Sequence, residues 1–128
     1  MADVFISYAR EDVAAADRRG WERVITDAGM TVWRDAHIAS GSTWTSDVGE
    51  QLRNAKAIFV IWSEHSWNSH WVRQEAFYGL MKGNLVPIML KERPAQLELP
   101  FSAVQTRLND SAGLKATLEA LKVQVAKG

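Results

Sequence analysis

The feature that most constrains the fold is a run of six consecutive apolar residues, Ala57–Trp62, near the middle of the chain. Successive side chains of a β-strand point to opposite faces, so a strand built from this run is apolar on both faces. Strands of that kind occur where helices cover a parallel sheet on both sides. The run is far shorter than the ~20 residues that a membrane-spanning helix needs. We therefore expect Ala57–Trp62 to be a central strand of a parallel sheet.

Shorter apolar runs alternate with helix-like segments on both sides of this strand. The predicted further strands are Asp3–Tyr8, Met30–Trp33, Leu85–Leu90 and Phe101–Arg107, and the predicted helices are Glu11–Ala28, Trp44–Asn54, Ser69–Lys82 and a last one that begins after Asn109 or Asp110. Such alternation indicates parallel strands joined by right-handed crossovers. We expect an α/β fold of the flavodoxin-like kind, a three-layer sandwich with a five-stranded parallel sheet in the order 2-1-3-4-5. Residues 1–128 would form a single domain, and a longer parent protein with further domains is compatible with this length.

The first predicted helix has its apolar residues at helical spacing. They form the expected core stripe of Val13, Ala16, Gly20, Val24 and Ala28. Gly29 follows at the position where a left-handed residue commonly ends a helix. We therefore expect Gly29 to end this helix.

Composition excludes several classes of function. Fifteen Lys and Arg balance fifteen Asp and Glu among 128 residues, so the chain lacks the basic surplus that favours nucleic acids or membrane surfaces. Cysteine is absent, which excludes disulfides, thiolate nucleophiles and Cys-ligated zinc. The first residues, Met-Ala-Asp-Val, do not have the charged and then apolar pattern of a signal peptide, so we expect none here. We expect a cytoplasmic domain that contacts neither nucleic acid nor membrane.

A ligand of such a sheet binds outside the carboxyl ends of the strands where the strand order reverses, here between strands one and three. Ser7–Arg10 and Ser63–Glu64 would line that crevice. Glu11 and Asp12 follow the first strand and would repel a flavin phosphate, which disfavours a plain flavodoxin-like nucleotide binder. The end of the third strand carries no phospho-accepting aspartate.

Catalytic and metal-binding motifs are also missing. The sequence contains no GxGxxG, P-loop, GxSxG or HExxH pattern. His37, His65 and His70 lack ligand spacing relative to one another. We expect three exposed histidines and no metal site.

Two features remain after these exclusions. Six tryptophans are many for 128 residues, and those near the predicted strand ends are either packing residues or aromatic platforms for a planar ligand. In the third predicted helix Val72, Ala76, Gly79 and Leu80 form the core stripe, and Glu75 falls on its flank beside Trp71 and Tyr78. Glu75 is either a partly desolvated functional carboxylate or a surface glutamate beside Arg73 or Lys82.

The ordered set of segments resembles the Toll/interleukin-1 receptor (TIR) domain, in the style of prokaryotic members. The match extends over nearly the whole chain. The segments that carry it are the opening Asp3–Asp12, the second strand and loop start Gly29–Asp35, the loop end Gly41–Trp44, the third strand Ala57–Ser63 with Ser66, the helix motif Trp71–Glu75 and the fourth strand Val86–Ile88.

The resemblance implies an activity and a site. Enzymatic members cleave NAD⁺ at the nicotinamide–ribose bond with the glutamate of a W-x-x-x-E motif, which here is Trp71 and Glu75. It implies Glu75 as the catalytic residue, NAD⁺ as substrate and no resident cofactor. By the same resemblance the substrate-binding residues are Phe5, Tyr8, Arg10, Trp33, Asp35, Trp44, Ser63 and Trp71.

The resemblance also implies self-association, in which the loop Asp35–Trp44 of one protomer completes the pocket of its neighbour. The expected role is antiphage or immune signalling, with ADP-ribose or a cyclic ADP-ribose as product. The alternative is a non-catalytic scaffold that pairs only with other TIR domains. Such scaffolds often lack the motif glutamate, so the presence of Glu75 favours the enzyme.

Overall fold

The computed structural model describes residues 3–8, 20–34, 46–62, 70–89, 107–108 and 111–127. In these ranges the strands are β1 (Val4–Ser7), β2 (Val32–Arg34), β3 (Ala57–Trp62), β4 (Leu85–Met89) and β5 (Arg107–Leu108). The helices are α1 (Trp21–Asp27), α2 (Ser46–Asn54), α3 (His70–Lys82) and α4 (Ser111–Lys127). Each strand pair among the described residues is parallel, so the predicted α/β class with a parallel sheet is confirmed.

The sheet has the order β2-β1-β3-β4-β5. Four strands of three to six residues form most of it, and β5 adds two residues beside the end of β4. The fifth strand was predicted at Phe101–Arg107, whereas the structure has it at Arg107–Leu108 and residues 101–106 lie outside the described ranges. The reversal of strand order falls between β1 and β3, where Ser7 is paired with Val60.

Helices cover both faces of this sheet, as the two-sided apolar run of β3 requires. All six residues of β3 are buried. One core joins α1 and α4 to residues such as Ile6 and Phe59. The other core joins α2 and α3 to residues such as Phe5 and Ile58. None of the helices in the described ranges is long and apolar enough to cross a lipid bilayer.

The predicted core stripe of the first helix was wrong by one position at Gly20 and Val24, whereas Ala28 packs against the core as predicted. Trp21 and Ile25 are the buried residues of α1, whereas Val24 is half-buried. Gly20 precedes the helix in the left-handed region with φ 69°. The Trp21 ring packs edge-on against Phe59 with ring centroids 5.3 Å apart. A buried indole removes far more apolar surface from water than a glycine does, so packing selects the Trp21 face. Val13 and Ala16 lie outside the described residues.

Two helices end in the same hydrogen-bonded motif before the following strand. Gly29 and Gly83 have φ of 93° and 83°, a conformation that glycine adopts without steric cost. The amides of Met30 and Asn84 donate to the carbonyls of Ile25 and Gly79, five residues earlier. This is the Schellman arrangement that satisfies the last carbonyls of a helix. The predicted end of α1 at Gly29 is confirmed.

Asp3 joins the starts of three neighbouring strands. Its amide donates to Thr31 Oγ1 at 2.8 Å, and its carboxylate accepts from the Thr31 amide at 3.0 Å. Its carbonyl accepts from the amides of Lys56 and Ala57, and the Lys56 ammonium lies 3.7 Å from its carboxylate. These contacts fix the position of β1 relative to β2 and β3.

Gly79 sets the distance between α3 and the sheet. A β-carbon at this position would lie 3.2 Å from Ile58 Cβ and 3.3 Å from Leu85 Cβ, which is tighter than ordinary van der Waals contact. Both neighbouring atoms are attached directly to strand backbone and have little freedom to move. The helix therefore approaches β3 and β4 closely because residue 79 has no side chain.

We expect Gly79→Val to lower the free energy of unfolding by about 1–3 kcal/mol, because overpacking at this contact forces the helix away from the sheet. Met81→Val is the matched control, since Met81 is exposed on the same helix. A β-branched residue there costs at most about 0.7 kcal/mol in helix propensity. Urea unfolding of both variants measures the difference, and equal stabilities would contradict the close-approach argument.

Candidate functional site

Glu75 is fully buried beneath α3. Its relative exposure is 0%, and the helix packs on β1, β3 and β4. The sequence predicted a partly desolvated side chain on the flank of the helix, and the structure corrects this to complete burial. The surface-glutamate interpretation is also wrong, because that residue would be exposed. Lys82 instead donates to the carbonyls of Arg53 and Ala55 at the end of α2.

The Glu75 carboxylate is hydrogen-bonded to the end of the first strand. Ser7 Oγ donates to Glu75 Oε1 at 2.5 Å, and Ser7 is itself 0% exposed. This distance lies at the short end of the range of about 2.5–3.0 Å for O–H···O hydrogen bonds. Ser7 is the last residue of β1. It therefore lies at the carboxyl end of this strand, next to β3, where the strand order reverses. The carboxylate is therefore at the position where folds of this type bind ligands.

Phe5 and Trp33 lie on the same face of the sheet as α3. Both belong to the core that α2 and α3 form with the sheet, and they are paired across β1 and β2. Their ring centroids are 5.1 Å apart with an interplanar angle of 30°. Trp33 is only half-buried, so part of its indole is accessible. The structure thus places Phe5, Trp33 and Glu75 together on one face.

Tyr8 packs on the opposite side of the sheet. It is 2% exposed and belongs to the core formed with α1 and α4. Alternation along the strand explains this placement, because Phe5 and Ser7 point to one face while Ile6 and Tyr8 point to the other. The structure does not bring the Tyr8 side chain together with Glu75.

The remaining predicted site residues are not tested by the structure. Trp71 lies in the first turn of α3, one helical turn before Glu75, and only its backbone is described. Arg10, Asp35, Trp44 and Ser63 lie outside the described residues, as does the whole loop Asp35–Trp44. Their roles stay predictions.

Ser7 is the residue that the sequence analysis did not assign to substrate binding or catalysis. Its position at the end of the first strand had placed it in the predicted crevice. A serine at a strand end is too common to indicate a role without knowing which helix residue faces it. Ser7 could have been recognised by a combination of two features. It is a small polar residue at the point where the strand order reverses, and the helix that covers this point carries an acidic residue, Glu75.

Chemically, the arrangement offers one oriented carboxylate on the sheet face that also carries Phe5 and Trp33. A buried anion interacts strongly with positive charge that develops nearby, because little water screens it. The side chains of the described residues include no group of three or more His, Asp, Glu or Cys that could hold a metal ion. A single carboxylate, when ionised, can stabilise a cationic centre.

A family model of the TIR domain matches residues 4–121 of the chain. That match extends from the first strand to the last helix and includes both Ser7 and Glu75. No curated protein is detectably similar to the chain in sequence.

Solved structures of TIR-containing proteins share the fold. The TIR domain of the Toll-related receptor TRR-2 from Hydra magnipapillata is 16% identical with a TM-score of 0.74, and the match covers 98% of this chain and 99% of that one. A metazoan TIR-STING receptor from C. gigas, in complex with 2',3'-cGAMP, is 20% identical with a TM-score of 0.68, over 94% of this chain and 39% of the receptor. The TIR domains of the activated Roq1 resistosome, which directly recognises the pathogen effector XopQ, are 18% identical with a TM-score of 0.58. That match covers 100% of this chain and 86% of the other. At these identities the likeness shows the fold alone.

We expect Glu75→Ala to lower the free energy of unfolding by about 2 kcal/mol, because it leaves a cavity and removes the acceptor of a buried hydroxyl. Glu75→Gln should lose less than half as much, since the amide keeps the side-chain volume and an oxygen that Ser7 can reach. Urea unfolding and far-ultraviolet circular dichroism measure both effects. Loss of helix content in Glu75→Gln would instead identify Glu75 as a residue required for folding.

Proposed function

Because the chain belongs to the TIR domain family, we propose that it is an NAD⁺ glycohydrolase in which Glu75 is the catalytic residue. One observation carries the proposal: the Glu75 carboxylate is buried and hydrogen-bonded to Ser7 at the carboxyl end of β1. The family includes NAD-cleaving enzymes that use the glutamate of a W-x-x-x-E motif, and Trp71 and Glu75 match that motif.

The proposed reaction breaks the bond between the nicotinamide nitrogen and C1′ of the ribose. The bonding electron pair leaves with nicotinamide, which departs as a neutral molecule, and positive charge grows on the ribosyl ring. A carboxylate stabilises such an oxocarbenium-like transition state electrostatically or through the ribose hydroxyls. Water then forms the new bond at C1′ and loses a proton, which gives ADP-ribose. An oxygen or nitrogen of the same dinucleotide as acceptor gives a cyclic product instead.

The aromatic residues supply the second part of the proposal. The half-buried indole of Trp33, which packs on Phe5, would contact the cationic pyridinium ring of the substrate. An indole face attracts such a cation by about 0.5–2 kcal/mol. Arg10, Asp35, Trp44, Ser63 and Trp71 would complete the pocket, with Ser63 near the nicotinamide ribose. The Tyr8 side chain is buried in the core formed with α1 and α4, so we do not propose it as part of this pocket.

Burial of Glu75 supports activation by self-association. Substrate cannot touch a carboxylate that is 0% exposed, so the residues that cover it must first be displaced. We propose that contact between protomers through the loop Asp35–Trp44 does this and completes the pocket. The isolated protomer would then be nearly inactive, which suits a cytoplasmic antiphage or immune signalling role.

A non-catalytic scaffold is the second candidate, and one observation favours it. Phe77 and Met81 are 48% and 73% exposed on the outer side of α3, four residues apart. Residues at this spacing share one face of a helix. They would form an apolar contact with another TIR domain, which a scaffold requires and an enzyme also tolerates.

Nicotinamide release separates the two candidates. We expect the concentrated protein to release nicotinamide from NAD⁺, and Glu75→Gln to abolish release while keeping the helix content. The reason is that the amide keeps the shape of the carboxylate and loses its charge. Chromatography of the products measures nicotinamide and distinguishes linear from cyclic ADP-ribose. Release that survives in both Glu75→Gln and Glu75→Ala would remove Glu75 from the mechanism.

Self-association has a separate test. We expect turnover per protomer to rise with protein concentration, because assembly uncovers the buried carboxylate. Turnover is measured across a wide concentration range together with the sedimentation behaviour of the same samples. Turnover that stays constant while the protein changes from monomer to assembly would show that activation does not depend on self-association.

A further inference from the structure

We propose that Ser7 is the positioning residue of Glu75, and this inference rests on the proposed NAD⁺ glycohydrolase function. The structure joins the two side chains directly, through the 2.5 Å hydrogen bond from Ser7 Oγ to Glu75 Oε1. Neither residue is exposed to solvent, so water does not compete for this contact. The bond links a helix to a strand 68 residues earlier in the chain.

The two residues differ in how firmly their backbones hold them. Ser7 has a short side chain on β1, which lies between β2 and β3 and is tied at its start by Asp3. Glu75 has three side-chain torsions, and a glutamate loses substantial rotamer freedom when it is ordered. A donor on the rigid strand therefore fixes the carboxylate before substrate arrives. Groups that are ordered in advance contribute to catalysis because they need no reorganisation during the reaction.

Gly79 acts together with Ser7 in this arrangement. Because Gly79 lets α3 approach β3 and β4 closely, Glu75 lies low enough for its carboxylate to reach the end of β1. The close approach sets the height of the helix, and the Ser7 hydroxyl sets the direction of the carboxylate. A purely structural hydrogen bond would stabilise the fold without affecting the rate of the chemical step.

The central experiment replaces the Ser7 hydroxyl and follows nicotinamide release from NAD⁺ in the full chain. We expect Ser7→Ala to lower kcat about tenfold to a hundredfold, as the loss of a hydrogen bond to a charged group predicts, with KM changed less than about twofold. Ser7→Thr keeps the hydroxyl and should restore most of kcat. A rise in KM at unchanged kcat, or an unchanged kcat in Ser7→Ala, would overturn the inference.

Thr117→Val is the matched control. Thr117 is 1% exposed on α4, and its hydroxyl has no hydrogen-bond partner among the residues that the structure describes. The substitution removes a buried hydroxyl from the opposite side of the sheet at nearly constant volume, so kcat should not change. A loss in Thr117→Val equal to that in Ser7→Ala would show that removing any buried hydroxyl impairs the protein, and the inference would fail.

A measurement without substrate separates this inference from the proposed function. The urea midpoint is compared for Ser7→Ala, Glu75→Ala and the double variant. We expect Ser7→Ala to lower the midpoint of the unmodified chain and to leave that of Glu75→Ala unchanged or slightly raised, because in that variant the Ser7 hydroxyl has already lost its acceptor. Additive shifts would overturn the inference even if the enzyme is active. Absence of nicotinamide release from every assembled form, with coupling intact, would instead refute the function and with it a catalytic role for the pair.

Discussion

Burial of β3 on both faces is the constraint on which the other features depend. A strand that is apolar throughout excludes water only if helices cover it from both sides, and α1 with α4 and α2 with α3 do so. Covering helices in a parallel sheet require crossovers, and crossovers in this order create the reversal between β1 and β3. The location of Ser7 beside the Glu75 carboxylate is therefore a consequence of the way in which helices shield β3 from water on both faces.

The sequence predicts the parts of the fold that hydrophobic pattern alone decides. The bounds of β3 were predicted as the structure has them, because an uninterrupted apolar run has only one way to be buried on both faces. The predicted core stripe of α1 was wrong at Gly20 and Val24, because these two residues have the same helical spacing as Trp21 and Ile25. Spacing alone therefore does not decide which pair faces the sheet. The size of the indole, and its contact with Phe59, decides which series faces the sheet. Periodicity does not include that information.

The candidate site could be predicted only in part for a related reason. Helical spacing placed Glu75 beside the core stripe, but the depth of a side chain depends on how closely its helix approaches the sheet. That distance follows from the contacts of Gly79 with Ile58 and Leu85, which belong to two different strands. The contact between Ser7 and Glu75 likewise depends on the alignment of α3 along β1. Such long-range alignments are properties of the packed molecule, and no local pattern encodes them.

The tight glycine turns after α1 and α3 have an evolutionary consequence. They place the helix ends within a few residues of the next strand. The connections at the amino ends of these strands are therefore too short to accommodate an insertion or deletion easily. At the carboxyl ends of the strands the elements are further apart in sequence, with eleven residues between β2 and α2 and seven between β3 and α3. During evolution, insertions and deletions should therefore accumulate at the carboxyl ends of the strands, where Glu75 lies. Substrate preference and assembly partners can diversify there, while the glycine turns at the amino ends of the strands are inherited almost unchanged.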